Sequence, residues 1–296
     1  MKVYIGTRRS TLAIAQAMEV KNLLCNHFPD ISFQIVNITT SGDINNEIPL
    51  NKIGGKGLFL KELEEALLAG TIDLAVHSMK DVPAFYDDSL VIPCILERSS
   101  PYDVFISYKY KSIKLLPDNA IIGTSSVRRR VQLMQLLPNI QVVPIRGNVD
   151  TRILKLDTEE YDAIVLAEAG LIRINKTHVV KEILDPKIML SAVGQGAIGI
   201  QCRASDYRII EMVKILNCKK SYVSVTAERS FMKTVNGSCN TPLAALAKYI
   251  TNNTLHMSCM LADEKKIVFS ECCFDESDAE ISGINMGNDL INQLNK

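Results

Sequence analysis

The sequence lacks an excess of charge of either sign, since 33 basic residues are balanced by 33 acidic ones among 296. No global field therefore draws the protein to nucleic acid or to an anionic membrane, and any site for a polyanion must be local. No stretch approaches the roughly 18 uninterrupted apolar residues of a spanning helix. Residues 1–10 contain neither a long apolar run nor a small-residue cleavage site. We therefore expect a cytoplasmic protein without nucleic-acid or membrane partners.

The cysteines also lack the spacing of a metal site or of a redox pair. The 8 cysteines include no C-x-x-C pair and no His partner at zinc-finger spacing, which predicts no metal site. Cys25, Cys94, Cys202 and Cys218 stand among apolar neighbours and are expected to behave as small buried hydrophobes. Cys239 differs because it lies in a turn between a predicted helix and a predicted strand. On sequence alone it is either a structural cysteine or an accessible nucleophile favoured by nearby cations.

Composition and periodicity predict a multidomain α/β protein. The chain is 47% hydrophobic and 22% charged, which is ordinary globular usage, and its length suits two or three domains. Up to residue 217, short apolar runs alternate with helical periodicities, as is typical of α/β domains with mainly parallel sheets. From residue 221 the pattern changes to that of a small α+β domain. The expected boundaries are 1–98 with 192–217 for domain 1, 99–191 for domain 2 and 218–296 for domain 3.

Basic loops follow four of the predicted strands, at residues 7–10, 54–57, 125–130 and 146–148. Because ligands of open α/β sheets bind beyond the carboxyl ends of strands, we expect these loops to line one interdomain cleft that binds an anion. Guanidinium groups pair with carboxylates in a bidentate fork, and predicted helix N-termini in three of the loops add N–H donors. Residues 54–57 lack the full G-x-x-x-x-G-K-[ST] pattern, which weakens a nucleotide-phosphate interpretation.

A polar segment, residues 77–83, directly follows an apolar strand predicted at residues 72–76. Pro83 prevents its continuation as a regular helix or strand. Within the segment, Asp81 would face the cations of the cleft. The sequence leaves open whether this carboxylate balances charge, transfers protons or stabilises a cationic substrate.

Nine short motifs, in order along almost the whole chain, resemble those of the hydroxymethylbilane synthases. They are TRRS-x-LA at 7–13, TSGD at 40–43, GGKGLF at 54–59, DLAVHSMKDVP at 73–83, GTSSVRR at 123–129, RGNVDTR at 146–152, AVGQGA at 192–197, TAER at 226–229 and GSC at 237–239. The most specific is DLAVHSMKDVP. The resemblance implies two α/β domains like those of periplasmic binding proteins plus a small C-terminal α+β domain that carries a cofactor cysteine.

The resemblance also implies a transferase that deaminates and polymerises four porphobilinogen molecules head to tail. Its primer would be a dipyrromethane cofactor, attached through a thioether to Cys239, and Asp81 would be the catalytic carboxylate. The implied cofactor-binding residues are Cys239, Ser78, Lys80, Asp81, Thr124, Ser126, Arg128, Arg129 and Arg146. The implied substrate-binding residues are Arg8, Ser10, Lys56, Phe59, Arg146, Arg152, Arg173 and Gln195. A monomer is expected.

Two positions depart from the family pattern. Ser238 stands where Gly is common, which predicts altered loop dihedrals because only Gly enters positive φ without penalty. Arg130 extends the usual arginine pair by one residue. The competing hypothesis is a non-catalytic solute-binding or sensor module, since the same two-domain scaffold binds small anions without chemistry. A nucleic-acid binder is disfavoured by the zero net charge and the lack of a recognised motif.

Overall fold

The computed structural model describes residues 1–40, 60–158, 160–238 and 240–296. The described residues form three sheets and eight α-helices. The strands are β1 (Lys2–Arg8), β2 (Ser32–Ile38), β3 (Leu74–Ser78), β4 (Leu90–Ile95), β5 (Asp103–Ile106), β6 (Ile121–Gly123), β7 (Gln141–Val143), β8 (Ala163–Ala167), β9 (Glu182–Ile183), β10 (Ile198–Arg203), β11 (Leu243–Tyr249), β12 (Thr254–Ala262) and β13 (Ile267–Asp275). The helices are α1 (Thr11–His27), α2 (Lys61–Leu68), α3 (Val127–Leu136), α4 (Val149–Leu154), α5 (Glu168–Arg173), α6 (Tyr207–Lys214), α7 (Lys219–Thr234) and α8 (Ala279–Asn295).

The chain divides into two compact units. The first comprises Met1–Arg98 and Ala197–Tyr222, and the second comprises Ser99–Gly196 and Val223–Lys296. One five-stranded sheet lies in the first unit, whereas the second unit holds another five-stranded sheet and a three-stranded sheet. The predicted fold class, two α/β sheet domains plus a small C-terminal α+β part, is confirmed by this topology. The finer boundaries of three domains stay a prediction.

The sheet of the first unit has the strand order β2-β1-β3-β10-β4. β1 pairs in parallel with β2 and β3, so Arg8 and Ser78, the last residues of β1 and β3, lie at the same edge. β10 is antiparallel to β3 and β4. This sheet is therefore mixed, with β10, from a distant part of the chain, as its antiparallel strand. Buried residues such as Val3, Ile5 and Leu74 pack the sheet against α1 and α6.

The five-stranded sheet of the second unit has the order β7-β6-β8-β5-β9. β6 is parallel to β7 and β8, whereas β5 is antiparallel to β8 and β9. The carboxyl ends of β6, β7 and β8 consequently meet at one edge, which positions the loops and helix that follow them. Phe105, Ile122 and Val165, from three different strands, are buried in a core on one face of this sheet.

Three helices begin where the sequence predicts. The side chains of Ser10, Ser126 and Asn148 accept hydrogen bonds from backbone N–H groups in the first turns of α1, α3 and α4. These N-caps satisfy donors that a helix start leaves without partners. The sequence pattern also predicts a helix after Thr177, but the structure has only a short 3-10 turn there, Thr177–Val179.

The C-terminal part pairs β11, β12 and β13 as an antiparallel sheet, on which α8 packs. Buried Glu228 of α7 ties this sheet to the segment before β10: its carboxylate accepts from Gly194 N–H at 2.7 Å and from Ala247 N–H at 2.9 Å. No described helix is both long and apolar enough to cross a membrane.

Candidate functional site

A pocket in the first unit collects four of the predicted site residues. Arg8, Ser10, Ser78 and Asp81 line it, and Gln16 and His77 are its other polar residues. The parallel pairing of β1 with β3 brings these residues together, since both strands end at this edge. Lys80 lies in the same 3-10 turn as Asp81, Met79–Asp81. The predicted Lys56 and Phe59 lie outside the described residues.

The pocket wall is held by hydrogen bonds between α1 and β3. The amide nitrogen of Gln16 lies 2.7 Å from the hydroxyl oxygen of Ser78, and the amide oxygen of Gln16 lies 3.1 Å from the same atom. Ser10 caps α1 and so is tied to the helix start. Ser78 therefore enters the pocket with its orientation already set by a neighbouring helix.

His77 is a buried, uncharged neighbour of the pocket cations and of Asp81. Burial lowers its pKa to about 4; Arg8 acts in the same direction, whereas the hydrogen bond to Gln201 and the charge of Asp81 oppose the shift. Near pH 7 the ring is therefore neutral. Sequence reasoning placed His77 in a polar segment but gave it no role.

In the second unit, two predicted carboxylate-binding arginines share a buried acidic partner. Asp103 Oδ2 accepts from Arg128 at 2.6 Å, and its Oδ1 accepts from Arg129 at 2.7 Å. Asp103 is fully buried, and only 5% and 6% of Arg128 and Arg129 are exposed. Burial alone would raise the pKa of the Asp103 carboxyl, but the two guanidiniums outweigh it and hold that pKa well below its usual range. We call these three residues the Asp103 triad.

The Asp103 triad still leaves N–H donors for a ligand. Arg128 uses one nitrogen, which donates to Asp103 and to Leu190 O. Arg129 donates twice to Asp103 and once to Val165 O. Each guanidinium has five N–H groups, so each keeps at least two that make no hydrogen bond to the described residues. The triad positions the arginines without exhausting them.

Gln195, a predicted substrate-binding residue, is part of the same buried network. It is 1% exposed and donates to Pro101 O at 2.7 Å and to Asp103 Oδ1 at 3.1 Å. Its neighbours Gly194 and Gly196 have φ values of 67° and 87°, in the region that favours glycine. The geometry gives Gln195 a supporting contact to the triad, and its predicted contact with substrate stays a prediction.

We expect Asp103→Asn to lower the free energy of unfolding by about 3–5 kcal/mol at pH 7, because it leaves two buried guanidiniums without their carboxylate. The depressed pKa in the folded protein means that this stabilisation is present above the unfolded value near 3.9 and is lost as pH falls below it. Urea unfolding at about pH 7 and pH 3 measures both effects. The difference in the free energy of unfolding between Asp103→Asn and the wild type should be smaller at pH 3 than at pH 7.

The matched control is Asp118→Asn, which changes an exposed carboxylate of the same unit. It should shift the unfolding free energy by no more than about 0.5 kcal/mol. If Asp103→Asn is equally mild at pH 7, Asp103 does not compensate the buried arginines.

Three further predicted arginines are half-buried near the carboxyl ends of β7 and β8. Arg146 follows β7, Arg152 lies in α4 and donates through Nε to Gly147 O at 2.8 Å, and Arg173 ends α5 and donates to Gly196 O at 3.2 Å. Thr124 and Ser126 occupy the loop after β6, where Thr124 Oγ1 accepts from Ser126 N–H at 3.2 Å. These three arginines, together with Thr124 and Ser126, thus follow three adjacent parallel strands.

Cys239 lies outside the described residues, but two residues near it, Ser238 and Thr241, are joined by hydrogen bonds. Thr241 N–H donates to Ser238 O at 3.0 Å, and Ser238 N–H donates to Thr241 Oγ1 at 3.0 Å. Asn236, two residues before Ser238, has a left-handed φ of 48°. Ser238 is not among the described residues with positive φ, so its replacement of the family's glycine carries no such penalty.

Comparisons with known proteins agree over nearly the whole chain. Residues 3–211 match the family model "Porphobilinogen deaminase, dipyromethane cofactor binding domain", and residues 222–292 match "Porphobilinogen deaminase, C-terminal domain". The porphobilinogen deaminase of Ehrlichia chaffeensis is 68% identical over 100% of this chain and 99% of its own length. That of Wolbachia is 54% identical over 98% of both chains. Among solved structures, the methionine-binding protein MetQ is 14% identical with a TM-score of 0.46, covering 77% of this chain and 93% of that one.

Proposed function

This chain belongs to the porphobilinogen deaminase family, and from that premise we propose that Asp81, Cys239 and the arginines described above carry out the family's reaction in this protein. The protein is a transferase of tetrapyrrole biosynthesis that joins four porphobilinogen molecules into hydroxymethylbilane with release of ammonia. The observation that carries the assignment of residues is the pocket of the first unit, where Arg8, Ser10 and Asp81 converge.

The cationic residues match the charge of the substrate. Each porphobilinogen brings an acetate and a propionate, so a growing chain accumulates carboxylates. Half-buried Arg146, Arg152 and Arg173 can offer forked N–H pairs to such groups, and Arg8 offers one in the pocket. Ser10, Lys80, Thr124 and Ser126 would add hydroxyl, ammonium and backbone donors. Lys56, Phe59 and Gln195 complete the proposed substrate-contacting set.

Asp81 has the charge that the bond-breaking step requires. When the carbon–nitrogen bond of the protonated aminomethyl group of porphobilinogen breaks, the nitrogen leaves as ammonia and the remaining pyrrole becomes a cationic methylene-pyrrolenine. A carboxylate beside the pyrrole nitrogen stabilises that developing charge and can accept a pyrrole proton. Neutral His77 does not compete for Asp81, so the carboxylate of Asp81 is available to the substrate.

The donor set also fits a dipyrromethane cofactor. We propose that Cys239 holds it by a thioether and that Ser78, Lys80, Ser126, Arg128, Arg129 and Arg146 hold its carboxylates. The unused N–H groups of Arg128 and Arg129 are the structural observation that supports this fit. When bound, the cofactor supplies a free pyrrole α-carbon as the nucleophile. The protein's residues then orient the substrate and balance its charge.

A cytoplasmic, monomeric enzyme is the simplest form of this proposal. The balanced charge of the sequence fits this form, since it provides no global field toward an anionic membrane or nucleic acid. A non-catalytic anion-binding module is not favoured, because the family match extends through both family domains.

The intact mass of the purified protein tests the proposal directly. We expect an excess over the sequence mass equal to two condensed pyrrole units, since the primer is covalent. Denaturing the protein before mass spectrometry separates a covalent group from one that is merely bound. An active preparation with the bare sequence mass would exclude the covalent primer.

A further inference from the structure

A chain of three hydrogen-bonded side chains reaches the pocket of the first unit. His77 Nε2 lies 2.9 Å from Gln201 Oε1, and Gln201 Nε2 donates to Glu64 Oε1 at 2.9 Å. His77 and Gln201 are buried, with 5% and 0% of their surfaces exposed. The chain joins β3, β10 and α2 at the point where β3 leads into the turn that carries Asp81.

This chain fixes which nitrogen of His77 carries the proton. Burial raises the pKa of the Glu64 carboxyl and the charge of Asp87 adds to that shift, whereas the hydrogen bond from Gln201 opposes it. Glu64 accepts from the amide nitrogen of Gln201, which directs the amide oxygen of Gln201 at His77. The ring must then donate from Nε2, which leaves Nδ1 unprotonated in the neutral form. The charged groups acting on the ring are Arg8 and Asp81, while Glu64 lies beyond Gln201.

We propose that His77 is a positioning residue for Asp81: burial keeps its ring uncharged and the amide of Gln201 keeps it oriented, so that the ring does not neutralise the catalytic carboxylate. The proposal rests on the function proposed above. The proposal explains why residue 201 is a glutamine and not a glutamate. A carboxylate at this position would favour the imidazolium form of His77, because an opposite charge within hydrogen-bond distance stabilises a cation. An imidazolium next to Asp81 would then compete with the cationic pyrrolenine for the same carboxylate.

The test exchanges the two partners, in the double variant Glu64→Gln with Gln201→Glu. This variant keeps the net charge and the side-chain types and moves the carboxylate next to His77. We expect a new acidic limb in its pH profile, on which kcat falls about tenfold for each pH unit below the new pKa of the ring. KM for porphobilinogen should change by less than about threefold, because the arginines that bind carboxylates are untouched. Adding His77→Gln, a neutral donor, should remove the limb.

Proton NMR gives a readout that does not depend on turnover. The protein has 4 histidines, so the signal that disappears in His77→Gln identifies the ring. In the wild-type holoenzyme this signal should not titrate between about pH 5.5 and 9, whereas in the exchanged variant it should. A wild-type ring that gains a proton between about pH 6 and 8, or an exchanged variant with the wild-type pH profile, would overturn the proposal.

Two controls separate this inference from folding and from the proposed function. Glu65→Gln changes an exposed carboxylate on the same helix and should leave the profile unchanged. If the exchanged variant does not fold, the single variant Gln201→Glu should show the same acidic limb in kcat at constant KM; a wild-type pH profile in that variant would count against the proposal. A wild-type holoenzyme that forms no hydroxymethylbilane would refute the proposed function, whereas the NMR titration judges His77 independently.

Discussion

Replacing Cys239 with serine is expected to give a folded protein that carries no dipyrromethane and forms no measurable hydroxymethylbilane. A thiol is partly ionised near neutral pH and its thiolate is a strong nucleophile, whereas a serine hydroxyl without an adjacent base is neither. Without the covalent primer, elongation has no starting point. Intact mass and the rate of tetrapyrrole formation measure the two losses separately.

The other cysteines provide matched controls for that variant. Cys94 and Cys202 are buried, and burial raises the pKa of each thiol to about 12, so neither supplies thiolate at neutral pH. Cys273 is exposed and is the stricter control. Cys273→Ser should keep the cofactor mass and full turnover. Retained activity in Cys239→Ser together with its loss in Cys273→Ser would move the attachment site to Cys273.

The second large effect is expected for Asp81→Asn, which keeps the size and much of the hydrogen bonding of the side chain but removes its charge. If the carboxylate supplies about 3–4 kcal/mol of transition-state stabilisation, turnover should fall roughly 10²–10³-fold. Asp81→Glu should retain more activity because the charge survives at an altered distance. Cofactor attachment should be less affected, since Asp81 does not bind the cofactor's carboxylates.

Single-turnover release of ammonia from enzyme that already carries its cofactor isolates this step. Asp88→Asn, an exposed aspartate of the same unit, is the control and should match the wild type. A rate for Asp81→Asn within about threefold of the wild type would mean that Asp81 only balances the charge of nearby cations and is not catalytic, because such a change corresponds to only about 0.6 kcal/mol.

Features with local causes were predictable from the sequence. The starts of α1, α3 and α4 are confirmed because each depends on one capping residue and the few residues after it. The strand expected at residues 72–76 lies instead at Leu74–Ser78. His77 therefore belongs to the buried strand, where it pairs with Gly199 of β10, and not to the loop beyond it. That pairing partner is more than 100 residues away, so sequence spacing could not reveal it.

The Asp103 triad shows the same limit at the site. The clustering of Arg128 and Arg129 predicted a surface for carboxylate ligands, yet the structure gives both a buried partner at the start of β5. An aspartate directly before the apolar residues 104–106 was the available signal, because a buried acid normally requires a cation. Which cation it meets depends on how β5 is placed beside β8, which periodicity alone does not specify.

The Asp103 triad also constrains how this sequence can drift. Loss of Asp103 leaves two buried cations together, and loss of either arginine weakens the compensation of a buried anion. Each single substitution therefore lowers the stability of the fold, and the two remaining residues cannot restore it. Each single substitution at these three positions is therefore destabilising and is not neutral, although none of the three side chains takes part in making or breaking a bond. Their inheritance should be joint: a descendant keeps Asp103, Arg128 and Arg129 together, because any single replacement leaves a buried charge uncompensated.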